Sequence, residues 1–217
     1  YGEEKALVYM EAASKQSVPA CRVNASREDA AIVRRTLLTE GQGVAVGDWG
    51  VAFPHGLPYV ARALERKGAL SLQSAAVQEV LEALDISSWN GPVWDACAGS
   101  GGKTTAMLER GLAVRVATDL SASRLDRLTT ELARLGLSGD SSPALFQTSA
   151  AEPPSLPVFS EGFATVIADV PCSGLGTLAR RPEIRVRRTQ KDIADLTALQ
   201  DAILDSAAAR LRPQGRI

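Results

Sequence analysis

The sequence predicts an α/β protein: a doubly wound, mostly parallel sheet preceded by a small α+β lobe. Two observations carry this expectation. From residue 72 onward, apolar strand-like runs alternate with segments of helical period, the pattern of a parallel sheet covered by helices. Before residue 70, two helical segments and short strand-like runs are punctuated by Gly41, Gly43, Gly47 and Gly50. The expected division is residues 1–70 for the small lobe and 71–217 for the larger domain.

Taken in order, residues 3–14 read as a helix with Ala6, Leu7, Met10 and Ala13 near one face, broken by Ser17-Val18-Pro19. Cys21-Arg22-Val23 suits a short strand. Ser26 is placed to cap a second helix, with Asp29 as acidic partner and Ile32, Val33 and Leu37 as its apolar stripe. Residues 72–85 read as a helix with Val77, Val80, Leu81 and Leu84 on one side. Val93-Trp94-Asp95 is strand-like and runs into a glycine loop, followed by a helix from about Lys103 to Arg110. Val114 to Ala117 is the next strand, ending at Asp119. Leu125, Leu128, Leu132 and Leu135 then recur at near-helical spacing, with Gly136 as C-terminal cap. Residues 143–147 and Phe163 to Ala168 form the third and fourth strands. A long helix from about Lys191 to Leu211 follows, with Thr189 as cap, Asp192 in its first turn and Pro213 beyond its end.

Composition narrows the function classes. Hydrophobic residues make up 45% and charged residues 23%, as in ordinary globular chains. No run of about 18 apolar residues predicts a membrane span, and no secretory signal is visible. Cys21, Cys97 and Cys172 are odd in number and lack metal-ligand spacing, which argues against a zinc site and a disulfide framework and predicts a reducing cytoplasm. The net charge of −1 means that any nucleic acid must be held by a local basic patch. Tyr1 in place of methionine, and a strand about to begin at Gly215-Arg216-Ile217, predict a chain cut from something longer.

The glycine loop runs Asp95-Ala96-Cys97-Ala98-Gly99-Ser100-Gly101-Gly102-Lys103-Thr104-Thr105. A phosphate-cradling loop would need glycine where Cys97 stands. A dinucleotide fingerprint would need glycine at Thr104. A nucleoside-binding loop and a plain glycine turn with a helix cap both remain open. In the first, Gly99 and Gly101 allow close backbone approach, and Asp119, at the end of the next strand, offers a carboxylate to ribose hydroxyls. A second segment, Asp169-Val170-Pro171-Cys172-Ser173-Gly174-Leu175-Gly176-Thr177, leaves the fourth strand at its carboxyl end, where open α/β sheets place ligands. A lone cysteine is more often a small buried hydrophobe, but one on such a loop is a candidate for chemistry.

Together these segments resemble the Sun (Fmu) family of bacterial ribosomal RNA cytosine-5 methyltransferases over nearly the whole chain. The resemblance rests on Tyr1 to Glu4 and Arg22-Val23-Asn24 in the small lobe, Ser71-Leu72-Gln73, the glycine loop, Asp169 to Gly174, and Arg180-Arg181-Pro182-Glu183-Ile184-Arg185. It implies a Rossmann-like class I methyltransferase fold, S-adenosylmethionine as cofactor, RNA as partner through a small RNA-binding lobe, and a monomer. The implied cofactor contacts are Cys97, Ala98, Gly99, Ser100, Gly101, Gly102, Lys103, Asp119, Ser149 and Asp169. Gly99-Ser100 replaces the family's usual Ala-Pro. Ser149 stands where the family usually has an adenine-binding aspartate, which lowers the expected affinity. Val186 replaces a common tryptophan.

The resemblance also implies the chemistry. Carbon 5 of cytosine is a weak nucleophile, so a cysteine thiolate first adds to carbon 6. Carbon 5 then takes the methyl group, loses its proton, and the cysteine leaves. In the family the attacking cysteine lies in a Thr-Cys-Ser segment one strand later, expected beyond Ile217. Cys172 is thereby assigned to product release and Asp169 to orienting cytosine and cofactor. Arg180, Arg181, Arg185, Arg187, Arg188 and Lys191 place six positive charges in twelve residues, suited to phosphate. Two other classes remain: a non-catalytic RNA-binding relative, and a DNA cytosine-5 methyltransferase attacking through Cys172. His55 is expected in a loop, and Trp49, Trp89 and Trp94 in the core.

Overall fold

The computed structural model describes residues 2–14 and 18–217. Tyr1, Ser17 and the Ala13 side chain, each used above, lie outside the described residues. The chain runs α1 (Glu3–Ser14), β1 (Ala20–Val23), α2 (Ala30–Thr39), β2 (Val44–Val46), β3 (Gly50–Ala52), α3 (Tyr59–Arg66), β4 (Leu70–Leu72), α4 (Ala75–Ala83), β5 (Val93–Asp95), α5 (Gly102–Leu108), β6 (Val114–Asp119), α6 (Ala122–Leu135), β7 (Ala144–Gln147), α7 (Pro157–Ser160), β8 (Phe163–Ile167), α8 (Ile184–Arg187), α9 (Gln190–Ala208) and β9 (Leu211–Arg216). Short 3-10 turns occupy Ile86–Ser88 and Leu175–Thr177. No helix among the described residues is long and apolar enough to cross a membrane.

Two sheets form. The small lobe holds a four-stranded antiparallel sheet in the order β2-β3-β1-β4. The larger domain holds a five-stranded sheet in the order β7-β6-β5-β8-β9, parallel throughout. Residue 70, where the division was expected, falls at the start of β4, the last strand of the small sheet.

The alternation of side chains across β5 explains the two covered faces. Val93 packs with Leu81 of α4 and Ala106 and Met107 of α5 on one face. Trp94 points the other way, against Phe159 of α7 and Ile203 and Ala207 of α9. Its ring meets Phe159 edge-on at a centroid distance of 5.5 Å, and its indole N–H donates to Thr118 Oγ1 at 3.1 Å. Leu125, Leu128, Leu132 and Leu135 are all buried along α6, as their spacing predicts, and Gly136 ends that helix in the left-handed conformation at φ 71°. Thr189 and Asp192 form the reciprocal capping box of α9. Trp49, Trp89 and Trp94 all pack in hydrophobic clusters, and His55 lies in an exposed turn.

Four local expectations are corrected. Ser26 does not cap α2; its hydroxyl donates to Asn24 Oδ1 at 2.6 Å, Asp29 precedes the helix and pairs with Arg27 instead, and the helix starts at Ala30. The buried stripe is Ala30, Val33 and Leu37, at i, i+3 and i+7, and Ile32, turned about 100° from Val33 by the helical period, is 69% exposed. On α4 it is Gln78 and Leu81 that are buried, while Val80 and Leu84 face outward, because Gln78 Nε2 donates to the carbonyls of Cys21 and Gln73. Finally, α9 ends at Ala208 and a strand begins at Leu211, so Pro213 lies inside β9. An edge strand tolerates the missing donor, and the pairing slips between Leu211 and Arg216 around Gln214, at φ 64°. The helix forms over α1 as expected, but Leu7, Val8 and Tyr9 are exposed.

The lobes meet through buried polar groups. Arg22 of β1 and Glu109 at the end of α5 form an ion pair at 2.6 Å, with both side chains 0% exposed. Asn24 Nδ2 donates to Gly68 O at 3.1 Å in its own lobe and to Leu135 O of α6 at 3.0 Å. Arg134 of α6 donates to the carbonyls of Glu65 and Leu70 and to Ser71 Oγ.

Removing one partner of a buried ion pair strands the other charge. Arg22→Met is therefore expected to cost about 3–5 kcal/mol in urea unfolding. The double variant Arg22→Met/Glu109→Leu should recover most of that loss. A single-variant cost below about 1 kcal/mol would mean that water reaches the pair.

Candidate active site

The strand order reverses between β5 and β8, since β6 and β7 are added on one side of β5 and β8 and β9, parallel to them, on the other. The carboxyl ends at such a switch point diverge and leave a crevice. Here the glycine loop leaves β5 and the Asp169 segment leaves β8. A cleft of about 280 Å³ lies between them, lined by Gln73, Val77, Cys97, Ala98, Gly99, Ser100, Gly102, Lys103 and Asp169. A larger cavity of about 740 Å³ opens between residues 111–115 and 136–144, and contains none of the sequence-predicted site residues.

The loop is held from three sides. Ala98 N–H donates to Thr118 O of β6, and Gly101 N–H turns back to Ala98 O, both at 2.9 Å. Gly101 stands at φ 91°, and a Cβ there would lie 2.3 Å from Leu128 Cδ1 of α6, so both conformation and packing require glycine. Asp119, buried at the end of β6, accepts from Gly99 N–H at 3.0 Å and from Ser121 N–H at 2.8 Å, with Arg124 at 3.6 Å. Lys103, on the first turn of α5, reaches across the cleft to Asp169 Oδ2 at 2.5 Å. Asp169 remains 60% exposed, so this carboxylate faces both the cleft and solvent.

Asp95 sits beneath the loop. Its Oδ2 accepts from Thr104 Oγ1 at 2.6 Å. Its Oδ1 is buried without a well-formed hydrogen bond. Burial pushes its pKa up to about 6, against the pull of the Thr104 hydroxyl, the Lys103 charge and the nearby Cys97 amide.

The three cysteines differ sharply. Burial pushes the Cys21 thiol up to about 12. Burial, aided by the carboxylates of Asp95, Asp119 and Asp169, pushes Cys97 up to about 12 as well. Both are thiols at neutral pH and poor nucleophiles. Cys172 is exposed. Its loop is held from behind: Gln200 Nε2 of α9 donates to Pro171 O at 2.7 Å, and Arg188 Nε donates to Ser173 O at 3.0 Å.

The basic segment is anchored by buried Leu178 and Ile184. Arg180, Arg181, Arg187, Arg188 and Lys191 are exposed, while the Arg185 side chain lies outside the described residues. Arg181 pairs with Glu183 at 3.2 Å and Lys191 with Asp195 at 2.5 Å. Val186 is exposed.

Cys97 to Ser100, Gly102, Lys103 and Asp169 are thus brought to one cleft, and Asp119 reaches the loop through Gly99. Gly101 is buried beneath it. Ser149 does not line the cleft; it lies past β7, where its hydroxyl accepts from Ala151 N–H at 3.2 Å. Sequence reasoning missed Gln73, as a cleft residue, and the Asp95–Thr104 pair. The only local signal for Asp95 is its place at the end of a buried strand.

The family model for 16S rRNA methyltransferase RsmB/F matches residues 83–217. The chain belongs to this family. Ribosomal RNA small subunit methyltransferase B of Salmonella newport is 34% identical to this RsmB/F-family chain over 165 residues, 75% of this chain and 36% of that protein. The protein of the same name from Salmonella arizonae matches to the same extent, 34% over 165 residues. The chain therefore spans about a third of the length of the curated relatives it matches. Among solved structures, a methyltransferase homolog protein from Pyrococcus horikoshii superimposes with a TM-score of 0.74 at 26% identity, over 96% of this chain and 66% of that one. NSun6 from Pyrococcus horikoshii, solved with SFG, shares the fold at a TM-score of 0.75 and 19% identity, over 99% of this chain and 78% of that one.

The raised pKa of Asp95 has a pH consequence. The folded state binds its proton more tightly than the unfolded chain does, so the native protein loses stability as pH rises from about 4 to about 6. Asp95→Asn removes this titration. Its stability relative to wild type should improve by about 1–3 kcal/mol between pH 4 and pH 7.5 in urea unfolding. A pH-independent difference would show that Asp95 titrates as an ordinary carboxyl.

Proposed function

We propose that this RsmB/F-family domain transfers a methyl group from S-adenosylmethionine to carbon 5 of a cytosine in ribosomal RNA. One arrangement carries the reading: the Lys103–Asp169 contact ties the glycine loop after β5 to the Pro-Cys loop after β8. A cofactor on one loop and a base on the other would meet at that point. The name of the Salmonella relatives supports ribosomal RNA as substrate, and the SFG in the NSun6 structure supports a ligand of the cofactor type.

The residues around the cleft fit S-adenosylmethionine. The space where a Cβ would stand on Gly99 is open. Ala98 and Val77 offer apolar contact, and the paired charges of Lys103 and Asp169 suit a zwitterionic methionine end. A carboxylate has about four acceptor sites, so the two amides held by Asp119 leave capacity for ribose hydroxyls. When bound, the cofactor supplies an electrophilic methyl group. The chain's part is positional. Asp169, fixed by Lys103, orients the cytosine edge. Cys172, the exposed thiol on the adjoining loop, serves release of the covalent cysteine–cytosine adduct. The exposed arginines of the 180–191 segment and the small lobe hold the RNA, whose target base must leave its stack to be reached.

The first test uses a longer chain that carries the Thr-Cys-Ser segment of the family, and follows transfer of labelled methyl from S-adenosylmethionine to 16S ribosomal RNA by nucleoside analysis. Label in 5-methylcytidine is expected; label only on another atom would sink the proposal. In that longer chain Cys172→Ala should cause a covalent protein–RNA adduct to accumulate on denaturing gels. Loss of the adduct would assign the attack to Cys172, as in DNA cytosine-5 methyltransferases. Replacing Arg180, Arg181 and Arg187 by Gln should weaken RNA binding and flatten its log–log salt slope by about 2, at about 0.7 per lost phosphate contact. Cofactor affinity should stay unchanged. An unaltered slope would make the segment a solvated face.

A further inference from the structure

Gln73 follows β4 and precedes α4, on the segment that joins the two lobes. Its main chain is pinned on both sides: its N–H donates to Ala20 O at 3.1 Å, and its carbonyl accepts from Gln78 Nε2 at 3.1 Å. Its side chain lines the cleft. Nε2 donates to Gly102 O at 2.9 Å, while Oε1 accepts from Arg22 Nη1 at 2.8 Å. Arg22 Nη1 also donates to Gly102 O, at 3.0 Å. The first carbonyl of α5 is therefore held twice from outside its own domain's sheet.

The geometry has one solution for the amide. A guanidinium only donates and a carbonyl only accepts, so Oε1 must face Arg22 and Nε2 must face Gly102. Arg22 is itself fully engaged. Its five N–H groups go to Glu109 twice, Thr105, Gln73 and Gly102. A lysine, with three donors on a flexible stem, could not replace it.

We propose that Gln73 is a positioning residue for the cofactor loop, held in orientation by Arg22 of the small lobe. The proposal rests on the reading of the cleft as the cofactor site. Gly102 is the residue before Lys103. Holding its carbonyl fixes where α5 begins, and so where Lys103 stands opposite Asp169. A displacement of β1 would reach the loop through these hydrogen bonds. The small lobe thereby acts on cofactor binding as well as on RNA.

Gln73→Met keeps the length of the side chain and removes both of its hydrogen bonds. The melting temperature should fall by a few degrees with the fold intact, since Arg22 keeps four of its five acceptors. Amide hydrogen exchange at Gly101 and Thr105, whose N–H groups donate to Ala98 O and Gly101 O, should accelerate in the ligand-free protein. S-adenosylmethionine affinity by calorimetry should weaken about 10-fold, the scale of one well-placed hydrogen bond. Gln73→Glu keeps an acceptor for Arg22 but cannot donate to Gly102, and should show the same faster exchange. The double variant Arg22→Met/Glu109→Leu should show it too, with Gln73 intact. Unchanged exchange in folded Gln73→Met would overturn the proposal. So would weaker affinity with unchanged exchange, since Gln73 would then contact the cofactor directly. A wild-type protein that fails to bind S-adenosylmethionine would remove the cofactor-site reading alone, because the exchange comparison needs no ligand.

Discussion

A guanidinium taken fully out of water must satisfy all its donors, and Arg22 does so between two lobes. Its acceptors are the Glu109 carboxylate, the Thr105 hydroxyl, the Gln73 amide and the Gly102 carbonyl. Three of these residues belong to α5 or its C-cap, and the donor belongs to the central region of the small sheet. An unpaired buried charge costs several kcal/mol. The small lobe therefore cannot seat without bringing α5 into register, and α5 cannot shift without breaking the seat. Asn24 and Arg134 repeat the logic at the other end of the interface, where Arg134 satisfies carbonyls of the small lobe from α6. The contact between lobes is directional as well as apolar, because hydrogen bonds, unlike hydrophobic contact, specify one relative placement.

The candidate site inherits this placement. Its loop connects β5 to α5, so the end set by Arg22 is also the end that carries Lys103. Asp119 holds the middle of the loop by the Gly99 amide, and Leu128 closes over Gly101. Across the switch point the Lys103–Asp169 pair joins the two central strands of the parallel sheet. The cleft is thus bounded by the loops that leave β5 and β8, by Gln73 between the lobes and by Val77 of α4.

The same carboxylates divide the labour of the cysteines. Asp95, Asp119 and Asp169 surround Cys97 and oppose its ionisation, and burial does the same to Cys21. Cys172 is exposed, on a loop braced by Gln200 and Arg188. Arg188 spends its Nε on this bracing, so the basic segment is partly structural. Its neighbours Arg180 and Arg187 remain at the surface, next to the loop they would serve.

What the sequence determined by itself was local and periodic. The leucines of α6, the capping box of α9 and the alternation in β5 each report how one element meets its surroundings, and a period along the chain suffices to read that. The glycine loop, Asp169 and the Pro-Cys segment were legible for a related reason, since each stands at a strand end where an α/β sheet puts its ligands. Ser26 and the start of β9 were misread because caps and edges depend on competing partners nearby. The Asn24 amide took the Ser26 hydroxyl, and β8 captured residues after α9. Only the tertiary structure decided that Arg22 and Glu109, separated by 87 positions, meet without water. It alone decided that Gln73 faces Gly102 and that Asp95 is buried. No pattern along the chain encodes these contacts, because their energy comes from excluding solvent between segments brought together only by folding.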